Sequence, residues 1–410
     1  MQPDYKWTRV ACYIGYVTQA ITINLATLFF VIFQDSYSVS FALLGQLVLI
    51  TFVIQILVDL LSIRLIDRIG YRTAGIAAHV SAALGLVLLG ILPRCMPNAY
   101  LGILISAFFY AIGGGLTEVI ISPLMDSLPG DAKASSMSLL HSFYSWGLFG
   151  MILLTTALLS VLGQERWYVL PFLWAVIPLF NIYLFCRVPI PEQQANDEET
   201  HGARPLLRRG IFWLFILLMI CSGASEQAMC QWASLFAEKA IGVTKTVGDI
   251  LGPCGFAVFM ALGRTAYGVF GQRIRIAPAL LSCAALTVGC YALTIFCGTP
   301  IFALIGCAVC GLGVSLMWPG VLSLSSERYP AGGNPMFAML ALAGDLGCSL
   351  GPWLSGIVSD AVTNQPSLGF PGIHGAPEQI ALRSGMLASM VFPVLMVLVL
   401  LFFLKKKKPE

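Results

Sequence analysis

Twelve apolar stretches, each long enough to cross a bilayer, follow one another along this chain of 410 residues. A helix needs about twenty apolar residues to traverse roughly 30 Å of hydrocarbon. On that ruler the sequence predicts spans at 9–33, 40–63, 73–93, 99–127, 135–162, 168–187, 210–237, 247–270, 277–298, 300–325, 334–361 and 380–404. Membrane-barrel strands alternate in polarity and run about half this length, so a barrel is excluded. Only 10% of the residues are charged and 58% are hydrophobic, against about 25% charged in a soluble domain. So few charges cannot cover a soluble surface of this size. The fold class expected is an all-α membrane protein, with the lipid bilayer as solvent for most of the chain.

Most linkers between these spans are short. The segment 188–209 is longer and holds Glu192, Asp197, Glu198, Glu199 and Arg204; a second long linker, 363–378, is rich in Gly and Pro. The first of these divides six spans from six. The expected organisation is an N-terminal six-helix bundle at 1–190, a cytoplasmic linker at 191–209 and a C-terminal six-helix bundle at 210–410.

Several function classes find no support. A net charge of +3 without a basic run interleaved with aromatics gives no reason to expect nucleic acid. The dense run Lys405 to Lys408 follows an apolar span and suits the anionic cytoplasmic leaflet. The twelve cysteines are scattered through apolar runs, where cysteine packs as a small apolar side chain; Cys307 and Cys310 have CxxC spacing but no histidine nearby. His79, His141, His201 and His374 form no HExxH, and no Walker sequence is present. Neither a cofactor nor enzymatic chemistry is expected. The short polar stretch Met1 to Arg9 lacks a clear cleavage site, so the first span is read as retained.

Positive residues favour the cytoplasmic side of membrane helices. With both termini inside, the cytoplasmic segments hold 18 of the 23 Lys and Arg residues and the outside holds Arg94, Arg166, Lys239, Lys245 and Arg383. The bias predicts a multi-pass protein of the cell membrane with both termini cytoplasmic.

The two halves also echo each other. Gln19 to Phe29 lies against Glu226 to Phe236 at an offset of 207, pairing Asn24 with Gln231 and Thr27 with Ser234. Gly115-Leu116 with Pro123 matches Gly311-Leu312 with Pro319, and Gly147 matches Gly347. Repeats of this kind place a solute near the midplane, at the interface of two halves that rock about it.

The chain here resembles the major facilitator superfamily. Asp67-Arg68-Ile69-Gly70-Tyr71-Arg72 is similar to that superfamily's cytoplasmic signature, with Ile63 where a leading Gly is usual, and Gly271-Gln272-Arg273 is a remnant of it in the second half. The resemblance implies twelve transmembrane helices in two pseudo-symmetric six-helix bundles. Phe33-Gln34, Gly115-Leu116-Thr117-Glu118 and Leu140-His141-Ser142-Phe143-Tyr144 resemble the fucose-permease-like sugar transporters. In fucose/proton symporters a Glu of the fourth span takes part in proton coupling, and Glu118 matches it. Their first-span Asp is replaced here by Thr27, while Asn24 matches a neighbouring Asn.

Polar groups inside the spans point to chemistry independently. An ionisable side chain mid-bilayer costs roughly 2.5–3.5 kcal/mol on insertion scales and usually faces a cavity. Glu118, Glu226 and Asp345 qualify, and no Lys or Arg is expected mid-span to neutralise them. Burial without a cation disfavours the charged carboxylate, which lets such a group load and release a proton; a protonated carboxyl bonding a neighbouring helix is the structural alternative. His141 stands as a relay beside Glu118 or as a packing residue. Gln227, Gln231 and Ser234 share one face of the seventh span, and Ala20, Asn24 and Thr27 share the matching face of the first. Asn24, Thr27, Gln227 and Gln231 of these faces, with Gln19, Ser122, Tyr144 and Trp318, form the expected substrate-binding set, amides for hydroxyls and an indole for a sugar ring. Interhelical bonding is the alternative for the amides.

Asp67, Arg68, Arg72, Arg264 and Glu327 fall near cytoplasmic span ends, with Asp59, Asp126 and Arg328, and are expected to form an ion-paired cytoplasmic gate. The function expected is secondary active transport: proton-coupled uptake of a neutral hexose-like solute by alternating access, by a monomer whose partners are a small-molecule substrate and protons. A proton antiporter exporting amphipathic or cationic compounds, and a non-transporting receptor or scaffold, are the alternatives.

Overall fold

The computed structural model describes residues 4–129, 133–191, 207–270, 275–329 and 333–405, and these contain helices and no strand. Among the described residues, twelve helices are long and apolar enough to cross a membrane. We label them α1 Lys6–Tyr37, α2 Phe41–Ser62, α3 Arg68–Cys95, α4 Ala99–Met125, α5 Leu139–Leu162, α6 Val169–Arg187, α7 Gly210–Ile241, α8 Lys245–Tyr267, α9 Ile276–Phe296, α10 Pro300–Arg328, α11 Met336–Asn364 and α12 Pro377–Leu404. Their outward faces keep large apolar side chains exposed, among them Leu57, Leu61, Val161, Val176 and Phe402, as lipid-facing helices must.

Contacts divide the chain into two compact units: residues 1–39 with 50–196, and residues 40–49 with 197–410. The first unit therefore holds α1, most of α2 and α3 to α6; the second holds α7 to α12 and the beginning of α2. Most of the expected linker, 192–206, lies outside the described residues.

Breaks in the helices have identifiable causes. Continuous helical hydrogen bonding from Phe41 to Cys95 is turned at Gly70, with φ 73° and ψ 161°. That region is open essentially to glycine alone, and a Cβ there would meet nothing within 4 Å, so the requirement is conformational. In α10 the α-helical geometry lapses at Leu316, because Pro319 lacks an N–H and its ring crowds the carbonyl four residues back. A 3-10 turn at Ala26–Phe29 interrupts α1. No proline is present there; Asn24 Nδ2 donates to the Ala20 carbonyl at 2.9 Å and Thr27 Oγ1 to the Asn24 carbonyl at 2.8 Å, and such side-chain bonds compete with the helical ladder.

Within each unit, glycine lets helices approach closely. In the second unit, Cβ atoms at Gly347 and Gly351 of α11 would stand 2.1 Å and 2.4 Å from the carbonyl oxygens of Ile220 and Ala224 on α7. In the first, a Cβ at Gly113 of α4 would stand 2.5 Å from the Ala82 nitrogen on α3. The first unit is also tied by a buried polar joint. Asn181 Nδ2 on α6 donates to His79 Nε2 on α3 at 2.7 Å and to the Ala11 carbonyl on α1 at 3.0 Å, while His79 Nδ1 donates to the Gly75 carbonyl at 2.7 Å. His79 thereby ties α3 to α6 as a structural group.

Candidate functional site

Each unit carries its own polar cluster. In the first, Gln19, Asn24 and Thr27 of α1 are buried, while Glu118 and Ser122 of α4 and Tyr144 of α5 are half-buried. Gln19 Nε2 donates to Glu118 Oε2 at 2.7 Å. Asn24 Nδ2 reaches the Tyr144 hydroxyl at 3.1 Å. Tyr16 joins the remaining two: its hydroxyl bonds Ser122 Oγ at 2.7 Å, and its ring meets the edge of His141 at 5.1 Å between centroids. His141 itself is exposed. Tyr16 was not anticipated, although it lies four residues before Ala20 and so extends the Ala20–Asn24–Thr27 face by one turn.

The second cluster corrects the expectation of uncompensated mid-span carboxylates. Glu226 on α7, 7% exposed, is paired with Arg264 on α8. Arg264 Nη2 bridges both carboxylate oxygens, at 3.2 Å and 3.1 Å. Arg264 had been expected near the cytoplasmic end of its span, in a gate. Its long side chain carries the guanidinium to Glu226 instead.

Gln231 Nε2 donates to Gln227 Oε1 at 2.8 Å, one turn apart on α7, and both are buried. Asp345 of α11 is buried beside Gly344. Trp318 of α10 lies against that glycine, where a Cβ would stand 2.2 Å from its Cη2. Trp232 is buried and its indole Nε1 donates to the Pro352 carbonyl at 3.0 Å.

Sequence reasoning missed a buried triad in the second unit. Lys245, counted among the outside charges, is 7% exposed and forms an ion pair with Asp249 at 3.1 Å; Asp249 is fully buried. Ser234 of α7 donates to Asp249 and accepts from Lys245 Nζ at 3.0 Å. The i, i+4 spacing of Lys245 and Asp249 was the available signal. Ser234, expected on a solute-facing stripe, is bonded into this pair.

Of the residues expected to form the gate, Arg68 in the first unit and Glu327 in the second are exposed, and the Asp67 and Asp126 side chains lie outside the described residues. Arg72, expected in an ion pair, donates to the carbonyls of Phe185 at 2.6 Å and Val188 at 2.8 Å. It satisfies the orphan carbonyls at the end of α6, inside the first unit. No group of three or more His, Cys, Asp or Glu suited to a metal occurs among the described residues. A groove of about 300 Å³ in the first unit is lined by Ile14, Val17, Val176, Ile177 and Phe180; it offers no polar group.

Comparison with known proteins agrees with this architecture. Residues 12–352 match the family model of the Major Facilitator Superfamily. The chain is 24% identical over 345 residues to membrane protein MosC of Rhizobium meliloti, covering 80% of this chain and 78% of that protein. Among solved structures, a bacterial homolog of the human lysosomal transporter Spinster superposes with TM-score 0.77 at 16% identity, covering 100% of this chain and 99% of the other. The E. coli fucose:proton symporter FucP superposes with TM-score 0.61 at 18% identity, covering 96% and 99%. At these identities the structural likeness speaks for the fold, and the family match speaks for membership. Twelve membrane-length helices, two compact units and a family match over most of the chain make this protein a transporter of the Major Facilitator Superfamily.

Proposed function

We propose that this transporter couples downhill proton influx to the uptake of a neutral, hexose-like solute by alternating access, as a monomer in the cell membrane with both termini cytoplasmic. The reading is carried by the contrast between the two glutamates. Glu226 has its charge compensated by Arg264. Glu118 takes its hydrogen bond from a neutral carboxamide, that of Gln19. A half-buried carboxyl beside a neutral amide can exchange a proton without breaking an ion pair, and this suits Glu118 for coupling. The fucose-permease-like resemblance of the Gly115 to Glu118 stretch supports the same assignment, as does the proton coupling of the fucose symporter that shares this fold.

The other groups support the solute class. Asn24 with Tyr144, and Gln227 with Gln231, present donors and acceptors without net charge, which suits hydroxyls. Trp318 adds an aromatic face. The ion-paired state of Glu226 also leaves no uncompensated charge there for a cationic compound.

Uptake of radiolabelled hexoses and pentoses into proteoliposomes, with an inside-alkaline pH gradient imposed, tests the proposal. Accumulation above the external concentration, collapsed by a protonophore, is the expected result. Acceleration of efflux by an opposite gradient, with cationic dyes as the transported species, would reject uptake and favour export. Absence of flux for every compound would reject coupled sugar transport altogether.

A further inference from the structure

Gln55 of α2 is 1% exposed, and neither end of its carboxamide makes a hydrogen bond among the described residues. On α1, Gln19 spends its Nε2 on Glu118, and its buried Oε1 likewise has no partner there. Both amides border the same turn of α4. Gly114 has no side chain at that point: a Cβ would stand 2.6 Å from Gln55 Nε2 and 3.2 Å from Thr22 Oγ1. Thr22 in turn donates to the Gln19 carbonyl at 2.9 Å. Glu118 lies one helical turn from Gly114 on the same face. Gly115 completes the recess, because a Cβ there would stand 3.2 Å from the Gln55 Cα. The glycine run thus admits a carboxamide as well as a neighbouring helix.

Burying an amide without a partner is costly, and here three such atoms, one on Gln19 of α1 and two on Gln55 of α2, belong to side chains packed against the Gly114–Glu118 turn of α4. A carboxamide offers one donor end and one acceptor end whichever way it is turned, and Gln19 Oε1 adds an acceptor. A bare cation would meet the N–H of Gln55, and an anion would meet Gln19 Oε1 and the Glu118 carboxyl. A group that accepts one hydrogen bond and donates another answers both amides. We propose that Gln55, Gln19 Oε1 and the bare Gly114 backbone form a hydroxyl subsite inside the first unit beside Glu118, filled by a hydroxyl of a polyol solute or by a bound water. Its solute arm rests on the sugar-uptake reading; its water arm does not.

Thermal unfolding of the purified full-length protein separates these cases. Wild type, Gln55→Leu and Gln55→Met are compared without solute and with L-fucose, D-xylose or myo-inositol. The two replacements differ in shape but both remove the polar ends. If a polyol stabilises wild type and both variants weaken its apparent affinity about tenfold or more, the solute's hydroxyl occupies the subsite. If both variants instead melt lower than wild type without solute by about 2 °C or more, water occupies it, and this result stands even where no polyol binds and the sugar reading fails. Variants that melt at or above wild type, with any polyol affinity retained within about threefold, overturn the subsite. So does an effect seen in one variant but not the other, since that reports shape alone.

Discussion

One guanidinium nitrogen of Arg264 bridges both oxygens of Glu226, at 3.2 Å and 3.1 Å, joining α8 to α7 within the second unit. Breaking a buried ion pair by removing one member costs about 3–5 kcal/mol. The two members here differ in how they tolerate isolation. Arg264 lies near the end of α8 with its side chain 19% exposed, so its charge can withdraw toward water. Glu226 has a short side chain and no such route. Arg264→Gln is therefore expected to cost about 3 kcal/mol and Glu226→Gln less than half of that. The double replacement should recover part of the loss. Thermal or denaturant unfolding of the three variants in detergent measures this; equal single losses that simply add would mean that the pair is not coupled.

Glu118 stands in the opposite position, since its partner Gln19 carries no charge. Glu118→Gln preserves shape but removes the exchangeable proton. On the proposed mechanism this variant loses gradient-driven accumulation by at least about 100-fold, equivalent to roughly 2.7 kcal/mol of coupling. It retains solute exchange between equal concentrations on the two sides. Counterflow and gradient-driven uptake, measured on the same proteoliposomes, separate the two. Loss of both, or of neither, would remove Glu118 from the coupling step.

The close approach of α7 and α11 yields a prediction about assembly. A Cβ on Gly347 would stand 2.1 Å from the Ile220 carbonyl oxygen and 2.8 Å from its carbon, so Gly347→Ala must push two backbones apart. Overpacking of this kind costs about 1–3 kcal/mol. Gly289 of α9 has open space where its Cβ would go, and there alanine should stabilise the helix by about 0.5–1 kcal/mol. Opposite shifts in melting temperature for the two variants are expected. A neutral Gly347→Ala would show that the α7–α11 spacing relaxes freely.

These sites show what the amino-acid order made legible. Span number and extent follow from hydropathy and length, and α6 and α10 begin within a residue of the predicted limits. Gly70 was recognisable in its motif, but only the backbone explains it, through a φ of 73° that excludes a side chain. The partner of a buried charge was not legible. Periodicity places Glu226 on a face of α7, but it does not reveal that Arg264 reaches it from α8. Gln55 was passed over because an isolated amide in an apolar run carries no spacing signal; its meaning arises from Gly114, distant in sequence. Lys245 and Asp249 were readable as an i, i+4 pair, yet Lys245 was counted outside by the alternation of spans alone, which says nothing of burial.

Orientation in the membrane can be read with the chain's own cysteines. Cys95 and Cys186 are exposed and Cys297 is partly so. Cys95 ends α3 and Cys297 follows α9 on the side predicted to be external, and Cys186 lies in the last turn of α6 on the predicted cytoplasmic side. The hydroxyl of Thr299, 3.3 Å from Cys297 Sγ, and the Thr299 backbone hold this thiol below its usual range. A hydrogen bond to the thiolate favours ionisation and thus reactivity. Single-cysteine variants in intact cells should therefore take up a membrane-impermeant maleimide at Cys297 and Cys95, and at Cys186 only after permeabilisation. Between pH 7 and 8, Cys297 should react faster than Cys95, and Thr299→Val should slow it several-fold. Labelling of Cys186 alone from outside would invert the topology and with it the direction of transport proposed here. Equal rates in Cys297 variants with and without Thr299 would show that the hydroxyl leaves the thiol unactivated.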